Sequence, residues 1–189
     1  MTADPVRRLR EERARARNLE DPYAELCALA TVDSHNRPQV RTLVLRDLDD
    51  RLAVFVNASS PKWPSMHRVA ALVYLASLGV QYRLDCATEP VPAELVRASW
   101  QLRGVIPKRL DWLYEQRDQS SPLESRRQLL AELEAAPVSD PLAAPDTARG
   151  LYLVPHRIER LDVHHESGVH DRRRWRLAGD TWRERVLVP

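Results

Sequence analysis

From Glu25 onward the chain alternates short apolar runs with clusters of turn-forming residues. Residues 25–33, ELCALATVD, read as an apolar-rich strand, and Ser34 to Pro38 supply turn chemistry. Residues 39–47, QVRTLVLRD, predict a second strand, DLDD a second turn, and RLAVFVNAS a third strand. These connections are too short for parallel crossovers, so the pattern predicts an antiparallel meander. SSPKWPSMHRV, residues 59–69, reads as a short helix with serine as N-cap. ALVYLASL and GVQYRLDCATEPV follow as strands. Residues 93–104 and 107–117 have helical spacing, and SSPLESRRQLLAELEAA places Leu123, Leu129, Leu130 and Leu133 near one face of an amphipathic helix. VSDPLAAPDTARG reads as a loop, and GLYLVPHRIERLDV, HDRRRWRL and DTWRERVLV close the chain as strands. Strands, a helical middle and more strands predict a mainly β or α+β domain: an antiparallel barrel with peripheral helices.

Length and charge refine this picture. The chain has 189 residues, enough for one sizeable core, expected over residues 21–189 behind a charged lead-in at 1–20 that is helical or mobile. That lead-in has no apolar signal core, and no run approaches the length of a membrane span. Cys27 and Cys86 lack metal-type spacing and suit a reducing compartment, so a cytoplasmic location is expected. Only Lys62 and Lys108 are lysines among 29 basic residues. Such arginine bias often reflects genome composition, and the arginines at 7–17 alternate with glutamates. They predict a solvated face rather than a nucleic-acid arm.

The five glycines form neither GxGxxG nor GxxxxGK[ST], so any phosphate must be held by side chains. On a strand, Arg41 would face one side, with Thr42, Val44 and Arg46 on the other. FVNASSPK brings Ser59, Ser60 and Lys62 to the start of the expected helix, a combination that favours an anion. His164, His165 and His170 lie across an expected turn without a nearby cysteine, so no metal is expected. Trp100, Trp112, Trp175 and Trp182 read as packing residues.

Set in order, ATVD, RTLVLR, FVNASSPK, QYRL, QSS followed by Arg126, IER and the terminal HDRRRWRLAGDTWRERVLVP resemble the pyridoxamine 5'-phosphate oxidase family. The resemblance runs from about Ala24 to the C-terminus. It implies a split β-barrel binding FMN at a homodimer interface. Arg41, Thr42, Leu43, Val44, Leu45 and Arg46 would line the flavin along one strand, with Phe55, Val56 and Lys62 completing that subunit's share and Lys62 on the phosphate. Gln81, Gln119, Ser120 and Arg172 would come from the other subunit. Arg46 and His170 would orient a small, anionic or aminated substrate for hydride transfer to the flavin, with dioxygen as final acceptor. Alternatives are a flavin-binding module without turnover, the same fold with another cofactor, and a nucleic-acid protein.

The sequence departs from the family pattern at several points. Pro61 stands where the family has an arginine before the lysine, and Arg160 and Leu161 stand where it has phenylalanine and tryptophan. Gly168 replaces a phosphate-binding arginine, Arg46 replaces a lysine, and WQLRGVIPKRLDW has no clear match to the family's substrate-binding helix.

Overall fold

The computed structural model describes residues 4–136 and 143–189. The helix α1, Pro5–Asn18, begins where Asp4 accepts a hydrogen bond from the Val6 amide at 2.9 Å, with Pro5 in the first turn. Pro5, Leu9, Arg13 and Ala16 share one buried stripe at helical spacing. The arginine-rich lead-in is therefore a docked helix, which corrects the expectation of a solvated face: Arg13 is fully buried.

Nine strands follow the alternation of the sequence: β1 Leu26–Val32, β2 Pro38–Val44, β3 Arg46–Leu48, β4 Arg51–Asn57, β5 Arg68–Leu75, β6 Val80–Pro90, β7 Ala148–Asp162, β8 Asp171–Ala178 and β9 Thr181–Leu187. They form one sheet in the order β2-β1-β5-β6-β7-β4-β3, with β8 pairing β7 and β9 pairing β8. The recorded registers of β1 with β2 and β5, and of β5 with β6, are antiparallel. Val69, Ala71, Val73 and Leu75 of β5 and Val80, Tyr82, Leu84 and Cys86 of β6 fill the core at period two. Burial pushes the Cys27 thiol up to about 11 and the Cys86 thiol up to about 12, so both are inert core residues.

The predicted turns carry the expected chemistry. Asp33 accepts from the amides of His35 and Arg37, and Asn36 takes a positive φ of 59°. Asp49 and Asp50 both adopt positive φ, the mirror-image turn that suits the β3–β4 hairpin.

Three expected boundaries shift. QVRTLVLRD is broken at Leu45 into β2 and β3. SSPKWPSMHRV forms only a single 3-10 turn, Trp63–Ser65, because Pro64 lacks the amide that would make the first intrahelical hydrogen bond back to Ser60. The helices α2 Ala93–Gln101, α3 Val105–Leu113 and α4 Arg126–Ala135 are shorter than their periodic patterns. Part of the expected loop VSDPLAAPDTARG, residues 138–142, lies outside the described residues.

The chain divides into two compact units. One comprises the described residues of Met1–Val54, Ser65–Glu89 and Tyr152–Pro189, and holds α1 and most of the sheet. The other comprises those of Phe55–Pro64 and Pro90–Leu151, with the three later helices. Within it, Trp100 Nε1 and Arg103 both donate to the buried Asp111, whose carboxyl is pushed up by burial. No described helix is long and apolar enough to cross a membrane.

Candidate functional site

The first unit carries two groups of the predicted site residues. On β2 and β3, Thr42, Val44 and Arg46 are exposed on one face, while Arg41 and Leu43 are partly covered and Leu45 is buried on the other. This is the alternation expected from the sequence. Arg41 Nη1 donates to the Leu29 carbonyl at 3.3 Å and to Thr31 Oγ1 at 2.8 Å. Among the described residues neither Arg41 nor Arg46 forms an ion pair with a carboxylate.

The second group lies on β6, β7 and β8. Gln81, Arg83, Glu159, Arg160, Leu161 and Arg172 line a cavity of about 180 Å³. Arg172 faces Leu161 in register, and its Nη2 donates to Glu159 Oε2 at 2.8 Å. Arg157 also donates to Glu159, and Arg83 lies 3.8 Å from it. Burial works against ionisation of Glu159, but the hydrogen bonds from Arg157 and Arg172 outweigh it and hold the carboxyl down to about 2. Sequence reasoning missed Glu159, although its position two residues after Arg157 on a strand was a usable signal. In sheet order β1 and β5 stand between β2 and β6, so Arg41 and Gln81 do not lie on neighbouring strands.

The second unit carries the remaining predicted residues. Phe55 and Val56 end β4, where Asn57 Oδ1 accepts from the Ser59 amide at 2.8 Å and Asn57 Nδ2 donates to Thr147 at 2.9 Å. Lys62 Nζ donates to the buried Ser60 hydroxyl at 2.7 Å. Ser59 Oγ accepts from the Gln119 amide at 3.2 Å, which brings QSS beside ASSPK. Ser120 takes a positive φ of 74°. Gln119 Oε1 and Ser121 Oγ are buried without a hydrogen-bond partner among the described residues. Only a 3-10 turn follows Lys62, so the helix N-terminus expected at this point does not form.

His170 is exposed at the end of the β7–β8 connection. Its neighbours His164 and His165 do not gather with it around a metal: no group of three or more potential ligands exists among the described residues. The tryptophans divide, with Trp100 and Trp175 buried and Trp112 and Trp182 half-buried.

In kind, these donors suit FMN. Arginine, lysine and hydroxyl groups match a phosphate, and the unpartnered Gln119 amide oxygen matches the hydrogen-bonding edge of a flavin ring.

No family model matches the chain. It is 33% identical over 195 residues to a pyridoxine/pyridoxamine 5'-phosphate oxidase of Myxococcus xanthus, covering 98% of this chain and 92% of that protein. A protein of the same description from Anaeromyxobacter dehalogenans is 31% identical, covering 98% and 96%. Among solved structures, PhzG of Burkholderia lata, in complex with tetrahydrophenazine-1-carboxylic acid, superposes with a TM-score of 0.83 at 24% identity, covering 98% and 93%. A pyridoxamine 5'-phosphate oxidase-related, FMN-binding protein of Nostoc punctiforme gives 0.81 at 20% identity, covering the whole of both chains. The fold is thus the antiparallel split β-barrel expected from the sequence.

Proposed function

The chain belongs to the pyridoxine/pyridoxamine 5'-phosphate oxidase family, and we propose that it is an FMN-dependent oxidase working as a homodimer. The observation that carries the reading is near-complete coverage of two such oxidases above 30% identity. Side-chain clusters of the types a flavin phosphate and ring require support it.

Arg41 to Arg46, Phe55, Val56 and Lys62 form one subunit's share of the cofactor groove, with Lys62 on the phosphate. Gln81, Gln119, Ser120 and Arg172 form the other's. The separation of β2 from β6 within one chain supports a groove built by two. So does the exposed apolar face of β2, β1 and β5, where Val40, Val44, Leu72 and Tyr74 lie open to solvent.

FMN, when bound, supplies the two-electron acceptor that takes a hydride from the substrate. An amine losing a hydride and a proton becomes an imine, which water hydrolyses to an aldehyde and ammonia. The two electrons and two protons pass finally to dioxygen, giving hydrogen peroxide. The chain's task is to position the reactants and balance charge, so no strong acid–base pair is needed. Arg46 and His170 orient the substrate. Pyridoxamine 5'-phosphate is one candidate, and a carboxylated ring compound another.

A second reading, flavin binding without turnover, is favoured by one feature. Gly168 offers no side chain where the family resemblance calls for a phosphate-binding arginine.

The test is direct. Purified protein should show flavin absorbance, and mass spectrometry of the released group should give FMN. Bleaching by candidate amines under nitrogen, with recovery and peroxide formation in air, supports the oxidase. Colour that no such reductant bleaches supports the second reading, and protein that neither contains nor takes up FMN sinks both.

A further inference from the structure

The helix α1 presents two consecutive charged residues, Glu12 and Arg13, to different parts of the sheet. Arg13 has no exposed surface, and each of its three guanidinium nitrogens donates a hydrogen bond. It donates to the Leu45 carbonyl at 2.6 Å, the Ala24 carbonyl at 3.0 Å and Asp47 Oδ1 at 2.8 Å. Leu45 is the break between β2 and β3, and the next residue is Arg46. Glu12 accepts from Tyr82 Oη at 2.7 Å and from Arg160 Nε at 3.2 Å. Arg160, itself buried, continues to Asp162 at 3.1 Å.

Strand alternation gives these contacts their meaning. Leu45 precedes Arg46, Tyr82 follows Gln81, and Arg160 follows Glu159, which holds Arg172. On a strand, adjacent residues point to opposite faces. Tyr82 and Arg160, held by Glu12, each adjoin along the strand a residue assigned to the cofactor groove or its direct partner, and Arg13 holds Leu45 and Asp47, the two residues that flank Arg46. The substitution of Arg160 for the family's phenylalanine is matched by a carboxylate on α1 placed to receive it.

Resting on the FMN reading above, we propose that Glu12 and Arg13 are positioning residues: α1 fixes, from behind, both strand segments that present Arg46 and the Gln81–Arg172 pair to the cofactor. Burying charge has a desolvation cost, and apolar replacements of equal volume are often as stable or more so. What charge-assisted hydrogen bonds add is directional placement, which sliding apolar contacts lack. On this account stability and cofactor affinity separate, and can move in opposite directions.

The experiment compares wild-type apoprotein with the triple variant Glu12→Met, Tyr82→Phe, Arg160→Met, and with the single variants Arg13→Lys and Glu12→Gln. The melting temperature is measured by circular dichroism and the FMN dissociation constant by quenching of flavin fluorescence. The triple variant is expected to melt at or above the wild-type temperature while binding FMN at least tenfold more weakly. Each single variant is expected to bind at least threefold more weakly. A folded triple variant with wild-type affinity overturns the proposal. So does loss of melting temperature and affinity in strict proportion across the set, which a merely structural helix would give. Should the triple variant not fold, unchanged affinity in both single variants overturns it. Failure of the unmutated protein to bind FMN marks instead the failure of the cofactor reading, and removes the premise.

Discussion

Arg172 and Glu159 form a directed pair, with Nη2 of the arginine 2.8 Å from Oε2 of a carboxylate that is itself almost fully buried. Glu159 also holds Arg157, so a single carboxylate restrains several cations around the cavity that contains Gln81. Replacing Arg172 with alanine leaves Glu159 paired and should preserve the fold while lowering FMN occupancy. Replacing Glu159 with glutamine removes the charge from a cluster of arginines. We expect a loss of about 1.5–3 kcal/mol in stability, the range for hydrogen bonds to charged groups. Chemical denaturation of the two variants separates the effects. Undiminished FMN content in Arg172→Ala would show that this arginine does not contact the cofactor.

The same pair sets an acid limit. The Glu159 carboxyl is held at about 2 in the folded protein, below its ordinary value of 4.5. A carboxyl depressed on folding contributes stability that is complete above its unfolded value and lost as pH falls through the folded one. The stability difference between wild type and Glu159→Gln should therefore be constant above about pH 5 and shrink between about pH 4.5 and pH 2. A difference that stays constant down to pH 2 would mean Glu159 is not held by its arginines.

Lys62 should act on affinity more than on fold. Its ammonium meets the Ser60 hydroxyl at 2.7 Å in a segment that forms only a 3-10 turn. One charge-assisted hydrogen bond to phosphate contributes about 1.5–3 kcal/mol, which corresponds to roughly 10- to 150-fold in affinity. Lys62→Ala should weaken FMN binding within that range, read by fluorescence titration, with little change in melting temperature. Equal affinity would remove Lys62 from the phosphate site.

The strands were legible because period-two alternation survives almost undisturbed in β1, β5 and β6, and the turns because Asp33, Asn36, Asp49 and Asp50 carry their own backbone chemistry. The faces of Arg41 and Arg46 followed from the same rule. What could not be read was tertiary. Arg13 looks like any other arginine of a charged helix, and only the carbonyls of Ala24 and Leu45 make it a core residue. Glu159 likewise gains its role from arginines on β6 and β8. The short helix expected at Ser59 failed because serine–proline signals a helix start without ensuring a helix behind it.

Gly79 is a structural test of the β7–β8 connection. Its φ is +61°, and a Cβ placed there would lie 2.3 Å from Nδ1 of His164. Its carbonyl accepts from the Val163 amide at 2.9 Å. Alanine would meet both backbone strain and a ring that must move, so Gly79→Ala should destabilise the protein by about 1–3 kcal/mol. A melting temperature within 1 °C of wild type, an order-of-magnitude threshold for no effect, would show that neither the backbone conformation at Gly79 nor the His164 ring opposes a Cβ there.

The exposed sheet face gives the sharpest test of the two-chain groove. Tyr23, Leu26, Ala28, Thr42, Leu72 and Tyr74 border a hollow of about 300 Å³ that is almost wholly apolar, and Val40 beside it is 73% exposed. Such a face on an isolated chain leaves a contiguous apolar patch in water, the usual mark of an interaction surface. Across a two-fold axis the patch would meet its own copy, as an isologous contact requires. An arginine at Leu72 would bring two like charges together in that contact, while in the separated chain it would sit on an exposed strand position at small cost. Leu72→Arg should therefore turn a dimer into a folded monomer in analytical ultracentrifugation and lose FMN at the same time, although Leu72 is not among the residues assigned to the cofactor. A dimer that persists would put the interface elsewhere, and a monomer that keeps its FMN would mean that one chain suffices to bind it.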